Sequence, residues 1–225
     1  MKLSKRLKEI EQLVGSGYDH IWDCCCDHGF LGTALLSRHA APHIHFVDIV
    51  HELMVEVENK LQRYFQHPIS KWHVHCLDVT TLPLHQFEGK HLVMIAGVGG
   101  DLVTKFVDAI HHHYPDLDID FVLCPVNHQF KLRQKLNQLG FGLKDELLLK
   151  DNQRFYEVIY ACSLPEEDNE QVSLVGSKIW QATTDEQATI TAEYLQKTLN
   201  HYIRIQQGHK KDVKQIIEAY QSITL

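Results

Sequence analysis

The segment from His20 to Leu31 constrains the fold of this chain more than any other. Residues 20–24 are mostly apolar and typical of a short buried strand, and the polar turn Asp27-His28-Gly29 leads into a helix predicted to run to about His39. A strand that feeds a helix through such a turn leaves backbone N–H groups unpaired at the start of the helix. In α/β proteins this corner, at the carboxyl end of the first strand, usually receives a nucleotide-like ligand.

A second predicted strand, residues 45–49, carries an acid near its end, Asp48. One carboxylate has two oxygens and can therefore accept hydrogen bonds from both hydroxyls of a ribose. This spacing suits dinucleotides and S-adenosylmethionine equally well. Asp48 therefore predicts a ribose-containing cofactor without deciding which one.

The glycines of the first turn favour one of these two cofactors. A dinucleotide fold uses the pattern G-x-G-x-x-G, which lets the backbone approach a pyrophosphate. Here the turn contains Gly29 alone, preceded by Asp27 and His28. A carboxylate at Asp27 repels a pyrophosphate but attracts the amino and sulfonium groups of S-adenosylmethionine. These residues favour S-adenosylmethionine; a plain strand–helix turn capped by Asp27 is the alternative.

Beyond this segment, strands and helices alternate along the chain. We expect helices at 51–65, 101–113 and 128–139, and strands at 72–78, 91–96, 121–124, 147–149 and 155–160. The alternation predicts an α/β fold with a mainly parallel, seven-stranded sheet that has an antiparallel strand at its edge. Right-handed crossovers would bring Asp27, Asp48, Asp78 and Gly97 to one crevice at the carboxyl ends of the strands.

The two ends of the chain differ from this pattern. Residues 2–15 form a predicted amphipathic helix that precedes the first strand, and residues 165–170 read as a polar linker. Two helices are predicted after the linker, at 184–207 and 210–222, separated by Gly208. We therefore divide the chain into a domain of residues 1–162 and a C-terminal helical hairpin or coiled coil of residues 163–225.

The charge of the chain limits how it can bind nucleic acid. With 22 lysines and arginines against 29 acids, the net charge is −7, which argues against non-specific binding over the whole surface. Local cationic patches are still possible. The N-terminal helix carries Lys2, Lys5, Arg6 and Lys8, which form either a solvated face or a phosphate-contacting face.

Cysteines, histidines and apolar runs exclude other classes of protein. Three cysteines at positions 24–26 lie in a predicted strand without C-x-x-C spacing, so we expect buried thiols and no metal site. Residues 111–113, three consecutive histidines, would point in different directions at a helix end. No apolar run is long enough to span a bilayer and the N-terminus has no apolar core, so we expect a cytoplasmic protein without a membrane segment.

Taken together, five short motifs make the chain resemble the TrmK-like family, bacterial methyltransferases that act on N1 of the adenine at position 22 of tRNA. The motifs are Ser4-Lys5-Arg6-Leu7, Asp27-His28, Ile95-Ala96-Gly97-Val98-Gly99-Gly100, Leu132-Arg133 and Phe155-Tyr156-Glu157-Val158-Ile159. The resemblance implies a Rossmann-like domain that binds S-adenosylmethionine, followed by a helical coiled-coil domain that helps to hold tRNA. The sequence does not determine the oligomeric state, and a monomer is favoured.

The resemblance and the crevice together give a set of candidate site residues. For the cofactor they are Asp23, Asp27, His28, Gly29, Asp48, Ile49, Asp78, Val79, Ala96 and Gly97. The reachable polar residues near the target base, and so the catalytic candidates, are Asp101 and Asn127. For tRNA the candidates are Lys5, Arg6, Arg133, Lys210 and Lys211.

Some residues depart from the family pattern. Cys25 stands where the family has a glycine, and if that position needs a positive φ the cysteine costs about 1–2 kcal/mol. Gly32 replaces a proline, and Cys124 replaces a glutamine amide that could read a base edge. Two alternatives therefore stay open: a methyltransferase acting on another nucleoside or a small molecule, and a non-catalytic protein that binds S-adenosylmethionine or tRNA.

Overall fold

The computed structural model describes residues 3–66, 69–208 and 212–225. Within these residues one sheet of eight strands runs in the order β3-β2-β1-β4-β5-β7-β6-β8. The strands are β1 His20–Cys24, β2 His43–Asp48, β3 Lys71–Cys76, β4 His91–Ala96, β5 Ile119–Cys124, β6 Gly142–Asp151, β7 Arg154–Cys162 and β8 Glu170–Gln171. The helices are α1 Lys5–Leu13, α2 Phe30–Ser37, α3 His51–Tyr64, α4 Gly100–His113, α5 Gln129–Gln138, α6 Asp185–Gln207 and α7 Lys214–Gln221.

The predicted fold class is confirmed, with two corrections to the sheet. The sheet has eight strands and not seven, because Glu170–Gln171, placed in a predicted linker, pairs with Gly142 and Leu143 of β6. The antiparallel strand β7 lies between β5 and β6 and not at the edge. A hairpin whose second strand returns beside β5 satisfies the backbone groups on both sides of β7.

The parallel register of the first five strands builds the crevice. Cys24 pairs with Val47 on one side and with Ile95 on the other, and Ala96 pairs with Cys124. The four strands therefore end at nearly the same level, and the loops that follow them open on one edge of the sheet. All five residues of β1 are buried, which makes it the central strand of this arrangement.

Helix α1 is shorter than predicted, and hydrogen bonds stabilise both of its ends. It begins at Lys5, because the Ser4 hydroxyl accepts a hydrogen bond from the Leu7 N–H as an N-cap. At its other end the Arg38 guanidinium of α2 donates to the carbonyls of Glu11 and Val14. These carbonyls belong to the last turn of the helix, where a cation is favourable.

The C-terminal helices join the sheet through a buried ionic network. Arg133 of α5 is fully buried; its Nε donates to Glu157 Oε2 and its Nη2 to Glu146 Oε2, each at 2.6 Å. Glu157 also accepts from the Tyr194 hydroxyl of α6. Around this network a separate apolar cluster forms from α6, α7 and the turn Lys178–Trp180.

A cluster of histidines covers the part of the sheet where β3 connects to β4 without an α-helix. Its members share one face of four strands and are His20, His43, His45, His73, His75 and His91. His20 Nδ1 lies 3.0 Å from His45 Nε2, and His45 Nδ1 lies 2.9 Å from His75 Nε2. Because the Glu88 carbonyl accepts from His20 Nε2–H, His20 and His45 each donate from Nε2 and accept at Nδ1, and His75 donates from Nε2.

The hydrogen bonds of His20 and His45 fit neutral rings, since Nδ1 of each accepts. Burial, the largest cause in each case, lowers the pKa of all six histidines, to about 4 for His73 and His91. The described residues contain no group of histidines, cysteines or acids arranged to hold a metal ion. Nor does any described helix combine the length and apolarity needed to cross a membrane.

Candidate cofactor and substrate site

The loop after β1 has an unusual backbone. Cys25 and Asp27 have φ values of +55° and +52°, and Gly29, the N-cap of α2, has +69°. Two non-glycine residues in the left-handed region within three positions are uncommon, and such strain is typical of ligand sites. Cys25 therefore occupies the conformation in which glycine is free of strain.

Next to this loop the crevice at the carboxyl ends of the strands forms a cavity of about 570 Å³. Eight of the ten predicted cofactor residues line it: Asp23, Asp27, Asp48, Ile49, Asp78, Val79, Ala96 and Gly97. They come from the carboxyl ends of β1, β2 and β4 and from the loops after β1, β2, β3 and β4, as the register of the sheet requires. The structure thus brings together residues as far apart in the sequence as Asp23 and Gly97.

Asp48 is oriented by the backbone of two loops. Its Oδ2 accepts from the Asp27 N–H at 3.2 Å, and its Oδ1 accepts from the Val50 N–H at 3.1 Å. Each carboxylate oxygen has a second lone pair, which remains for a ligand. The side chain is half-exposed toward the cavity, so it has the position and the acceptors expected for binding a vicinal diol.

Asp23 lies at the floor of the cavity and is almost completely buried. Burial, with a smaller contribution from Asp48, raises the pKa of Asp23 to about 7 against an opposing hydrogen bond from the Gly32 N–H. That hydrogen bond is 2.7 Å long, and a proline at position 32 would have no N–H to donate. A Cβ on Gly32 would lie 2.5 Å from the Phe46 ring, so only glycine permits this close approach.

Asp78 follows β3 and lines the same cavity. Its Oδ1 accepts from both the N–H and the hydroxyl of Thr80, each at 2.8 Å, and these bonds hold the pKa of Asp78 below its usual range. Lys105 of α4 contributes to this lowering and lines the same cavity. The sequence analysis did not identify Lys105, although its position in α4, three residues after the cavity-lining Leu102, places it on the same face.

Apolar side chains form the rim of the cavity. Phe30 and Leu102 are each 40% exposed, and Ile49 is 68% exposed. An exposed group of large apolar residues around a polar cavity is typical of a ligand site. Of these three only Ile49 was predicted, since Phe30 and Leu102 lie in the first turns of α2 and α4 and carry no acid or glycine signal of their own.

Two predicted cofactor residues lie outside the cavity. His28 is directed toward α3, with its Nδ1 3.7 Å from Glu56 Oε2, and lines a different groove. Gly29 closes the turn beneath, where a Cβ would come within 3.1 Å of the Phe46 ring and 3.3 Å of Val57. Gly29 is therefore needed for packing at a positive φ, and the cofactor contact of His28 stays a prediction.

Neither predicted catalytic residue lines the cavity. Asp101 is exposed, and its carboxylate contacts His128 at 2.8 Å and Lys131 at 2.6 Å. Asn127 uses its Oδ1 to accept from the Gly100 N–H at 3.1 Å. Asn127 thus braces the glycine-rich loop that forms one wall of the cavity, and Asp101 is engaged by cations on its outer side.

Of the predicted tRNA residues that the structure describes, Arg6 alone lines the cavity. Its backbone N–H donates to Asp151 Oδ2 at 3.1 Å, which attaches the first turn of α1 to the end of β6. The guanidinium carbon lies 4.9 Å from the centroid of the Tyr156 ring, and Nη2 is 3.5 Å from where a Cβ on Gly97 would be. Arg6 therefore places a positive charge and a flat surface at the mouth of the crevice.

The other predicted tRNA residues have three different outcomes. Arg133 was predicted wrongly, because its fully buried guanidinium is paired with Glu146 and Glu157 and is out of reach of a phosphate. Lys5 is exposed and lies 3.6 Å from Glu186 of α6, so its contact with tRNA stays a prediction. Lys210 and Lys211 lie outside the described residues.

Cys25 and Cys124, the two cysteines that depart from the family pattern, are protonated thiols at neutral pH. Burial raises the pKa of Cys25 and of Cys124 to about 12, and the Arg6 charge opposes part of the shift at Cys124. Cys124 is fully buried at the end of β5 and so does not present an edge to a ligand. The glutamine amide of the family pattern has no equivalent at this position.

Comparison with known proteins assigns this architecture. The sequence profile described as "Methyltransferase domain" matches residues 3–159. A comparison with curated protein sequences gave no match.

Solved structures with the same fold cover nearly the whole chain, including the C-terminal helices. TrmK from M. capricolum in complex with S-adenosyl-homocysteine has a TM-score of 0.75 at 15% identity, over 98% of this chain and 97% of that chain. Sp1610 of Streptococcus pneumoniae in complex with S-adenosyl-L-methionine has a TM-score of 0.72 at 18% identity, over 98% of both chains. The B. subtilis m1A22 tRNA methyltransferase TrmK has a TM-score of 0.63 at 18% identity, over 98% of this chain and 94% of that chain.

Proposed function

The chain belongs to the methyltransferase-domain family, and from this premise we propose that it transfers a methyl group from S-adenosylmethionine to N1 of an adenine in tRNA, at position 22. The arrangement of acids around the crevice carries this proposal. Asp23, Asp48 and Asp78 come from three successive strands and meet in one cavity of about 570 Å³. A cationic, ribose-containing ligand fits this set of acceptors better than a phosphate does.

The residues of the cavity fit S-adenosylmethionine group by group. We assign the ribose hydroxyls to Asp48, whose oxygens are oriented by two backbone N–H groups. Asp78 and Val79 are assigned to the adenine and Asp23 and Asp27 to the cationic end. The exposed side chain of Ile49 next to Asp48 offers an apolar surface for the purine ring.

Positioning is the main contribution of the protein to the reaction. Bound S-adenosylmethionine supplies an electrophilic methyl group, and adenine N1 has a lone pair that attacks it without prior deprotonation. The Watson–Crick edge must be unpaired and aligned in the cavity, and alignment of this kind can contribute several kcal/mol, roughly 7–11 in favourable cases. Gly97 and Val98, held in place through the Asn127–Gly100 hydrogen bond, let the substrate pass close to the cofactor.

The tRNA part of the proposal is supported by fold and charge. Similarity to TrmK structures extends over 98% of the chain and thus includes the C-terminal helices. Arg6 provides a cation at the mouth of the crevice, and Lys5 adds one on the exposed side of α1. An enzyme of this activity would work in the cytoplasm, where tRNA is modified.

One assay tests the proposal as a whole. The protein is incubated with bulk tRNA and S-adenosylmethionine carrying a labelled methyl group, and the tRNA is then digested to nucleosides. We expect the label in 1-methyladenosine and its loss with tRNA in which adenine 22 is replaced. Label in another nucleoside would refute the assignment to adenine N1 and favour the alternative methyltransferase.

Calorimetry together with the methyl-transfer assay separates the non-catalytic alternative from the enzyme. If the protein binds S-adenosylmethionine and tRNA but transfers no methyl group at saturating cofactor, it is a binding protein. Absence of S-adenosylmethionine binding at any salt concentration would refute the cofactor assignment itself.

A further inference from the structure

A second cavity, which we call the cleft, has a volume of about 490 Å³ and lies between the sheet and the C-terminal helices. Its walls come from the loop after β5, the start of β7, and helices α6 and α7. No aspartate or glutamate is among the described residues that line it, whereas four aspartates line the cofactor crevice. The described lining of this cavity is therefore free of acids, whereas that of the crevice is rich in them.

The cleft is locally cationic in a chain whose net charge is −7. Arg154 at the start of β7 and Lys197 of α6 are both exposed and both line it. In the part of the chain that the structure describes, neither has a carboxylate within 4.0 Å, unlike Lys131 and Lys150, which are paired with Asp101 and Glu193. Exposed cations without acidic partners keep their full charge for a ligand.

The same cleft presents aromatic surfaces. Phe155 and Tyr202 are half-exposed, and Tyr194 and Tyr220 are buried behind them, with ring centroids 5.5 Å from Phe155 and 6.0 Å from Tyr202 respectively. Lys197 Nζ lies 5.3 Å from the centroid of the Phe155 ring. A supported aromatic ring beside unpaired cations is the arrangement with which proteins bind unpaired nucleotides, by stacking the base and contacting the phosphate.

The cleft and the cofactor crevice share walls. Tyr156 lines the cleft, while the Arg6 guanidinium that lies over its ring lines the crevice. Asn127 lines the cleft and holds Gly100 of the loop that bounds the crevice. An RNA strand with one base in the crevice would therefore have its neighbouring nucleotide at the cleft.

From these contacts we propose that the cleft binds an unpaired nucleotide of the substrate tRNA adjacent to the target adenine. Its base stacks on Phe155, and its phosphates contact Arg154 and Lys197. This site holds the strand in an extruded conformation, so that the target base stays in the crevice. The inference rests on the proposed function, and the experiment below distinguishes failure of one from failure of the other.

The stacking contact is tested with Phe155→Leu, which keeps the apolar volume but removes the aromatic face. Binding of tRNA is measured by fluorescence anisotropy with S-adenosyl-homocysteine present, and cofactor affinity is measured in parallel by calorimetry. We expect tRNA binding to weaken roughly tenfold and cofactor affinity to stay unchanged. Phe155→Trp, which keeps a stacking face, should retain wild-type tRNA affinity and shows whether the leucine effect comes from folding.

The phosphate contacts are tested with the double variant Arg154→Ala/Lys197→Ala. The slope of log affinity against log salt should fall by about 0.7 for each lost contact with a single strand. The matched control is Arg63→Ala/Lys60→Ala, two exposed cations of α3 outside the cleft, which should leave the slope unchanged.

The outcomes separate the two proposals. If wild type neither binds nor methylates tRNA, the proposed function fails. If wild type methylates tRNA while the leucine and double-alanine variants keep its affinity and salt slope, the cleft does not bind a nucleotide and only this inference is refuted. Equal slope losses in the cleft and control variants would likewise refute it, because they would indicate a diffuse surface contribution.

Discussion

Replacing Arg133 with methionine should destabilise the protein more than any surface change. Arg133 is completely buried and donates to two carboxylates, Glu146 and Glu157, which are also fully buried as side chains. Methionine fills a similar volume without a charge, so the two acids lose their common counter-charge. Removing one partner of a buried ion pair costs about 3–5 kcal/mol, a large part of the roughly 5–15 kcal/mol that stabilises a typical domain.

The network also predicts how this loss depends on pH. Burial alone would raise the pKa of Glu146, but the Arg133 charge and the N–H groups of Ser177 and Lys178 outweigh it and hold the pKa below its usual range. In wild type Glu146 therefore contributes stability at neutral pH, and the contribution is lost as the pH falls through the lowered pKa. Without Arg133, burial is left to raise the pKa of Glu146, so the deficit of the variant should shrink as the pH is lowered from about 8 to about 5.5.

Urea unfolding at these two pH values measures both effects. Arg63→Met, the same substitution at an exposed position of α3, is the control and should change the free energy of unfolding by no more than about 0.5 kcal/mol. A loss for Arg133→Met of less than about 1 kcal/mol, or a loss that is independent of pH, would refute the claim that this pair of acids depends on the guanidinium.

Other predictions concern the crevice and the histidine cluster. Asp48→Ala should weaken S-adenosylmethionine binding by about 1.5–3 kcal/mol in calorimetry, since it removes a charge-assisted acceptor. Cys25→Val should lower the free energy of unfolding by about 1–2 kcal/mol, because a β-branched residue tolerates a φ of +55° poorly, whereas Cys25→Gly should stay within about 0.5 kcal/mol of wild type. The pKa of Asp23 is raised from 3.8 to about 7, so the contribution of this side chain to stability is lost as the pH rises through about 7. Asp23→Asn should therefore raise the urea midpoint at about pH 8, and it should weaken cofactor binding. The pKa of His73 is lowered to about 4 from 6.5, so stability should fall as the pH is lowered from about 7 to 4, and His73→Gln should flatten that slope.

The cofactor crevice was predictable because its determinants are local. An acid at the end of a strand and a turn before a helix fix a position in an α/β sheet, and parallel register brings such positions together. Asp23, Asp48 and Asp78 reached the cavity for this reason. Whether a side chain faces the cavity or an adjacent groove depends on the rotation of the turn, and for this reason the sequence could not separate Asp27 from His28.

Residues whose role depends on distant partners were not predictable in the same way. Arg133 lies in a helix among polar residues, and nothing nearby in the sequence indicates that Glu146 and Glu157 bury its charge. The eighth strand has only two residues, too few to show a period of two. In both places tertiary contacts decide the outcome and local composition has little weight.

The histidine cluster shows that a pattern can be visible and still be missed when residues are considered one by one. Residues 43 and 45, and residues 73 and 75, alternate in two parallel strands, which puts all four on one face. The connection between these strands and β4 lacks a helix, so that face is filled by rings that bond to one another and to the Glu88 and Phe87 carbonyls. A second ring proton on His20, His45 or His91 would leave two N–H donors facing each other, because Nδ1 of each accepts from a neighbouring N–H. The packing of these neutral rings therefore requires a pH well above the lowered pKa values of the histidines. This is consistent with an enzyme that acts near neutral pH.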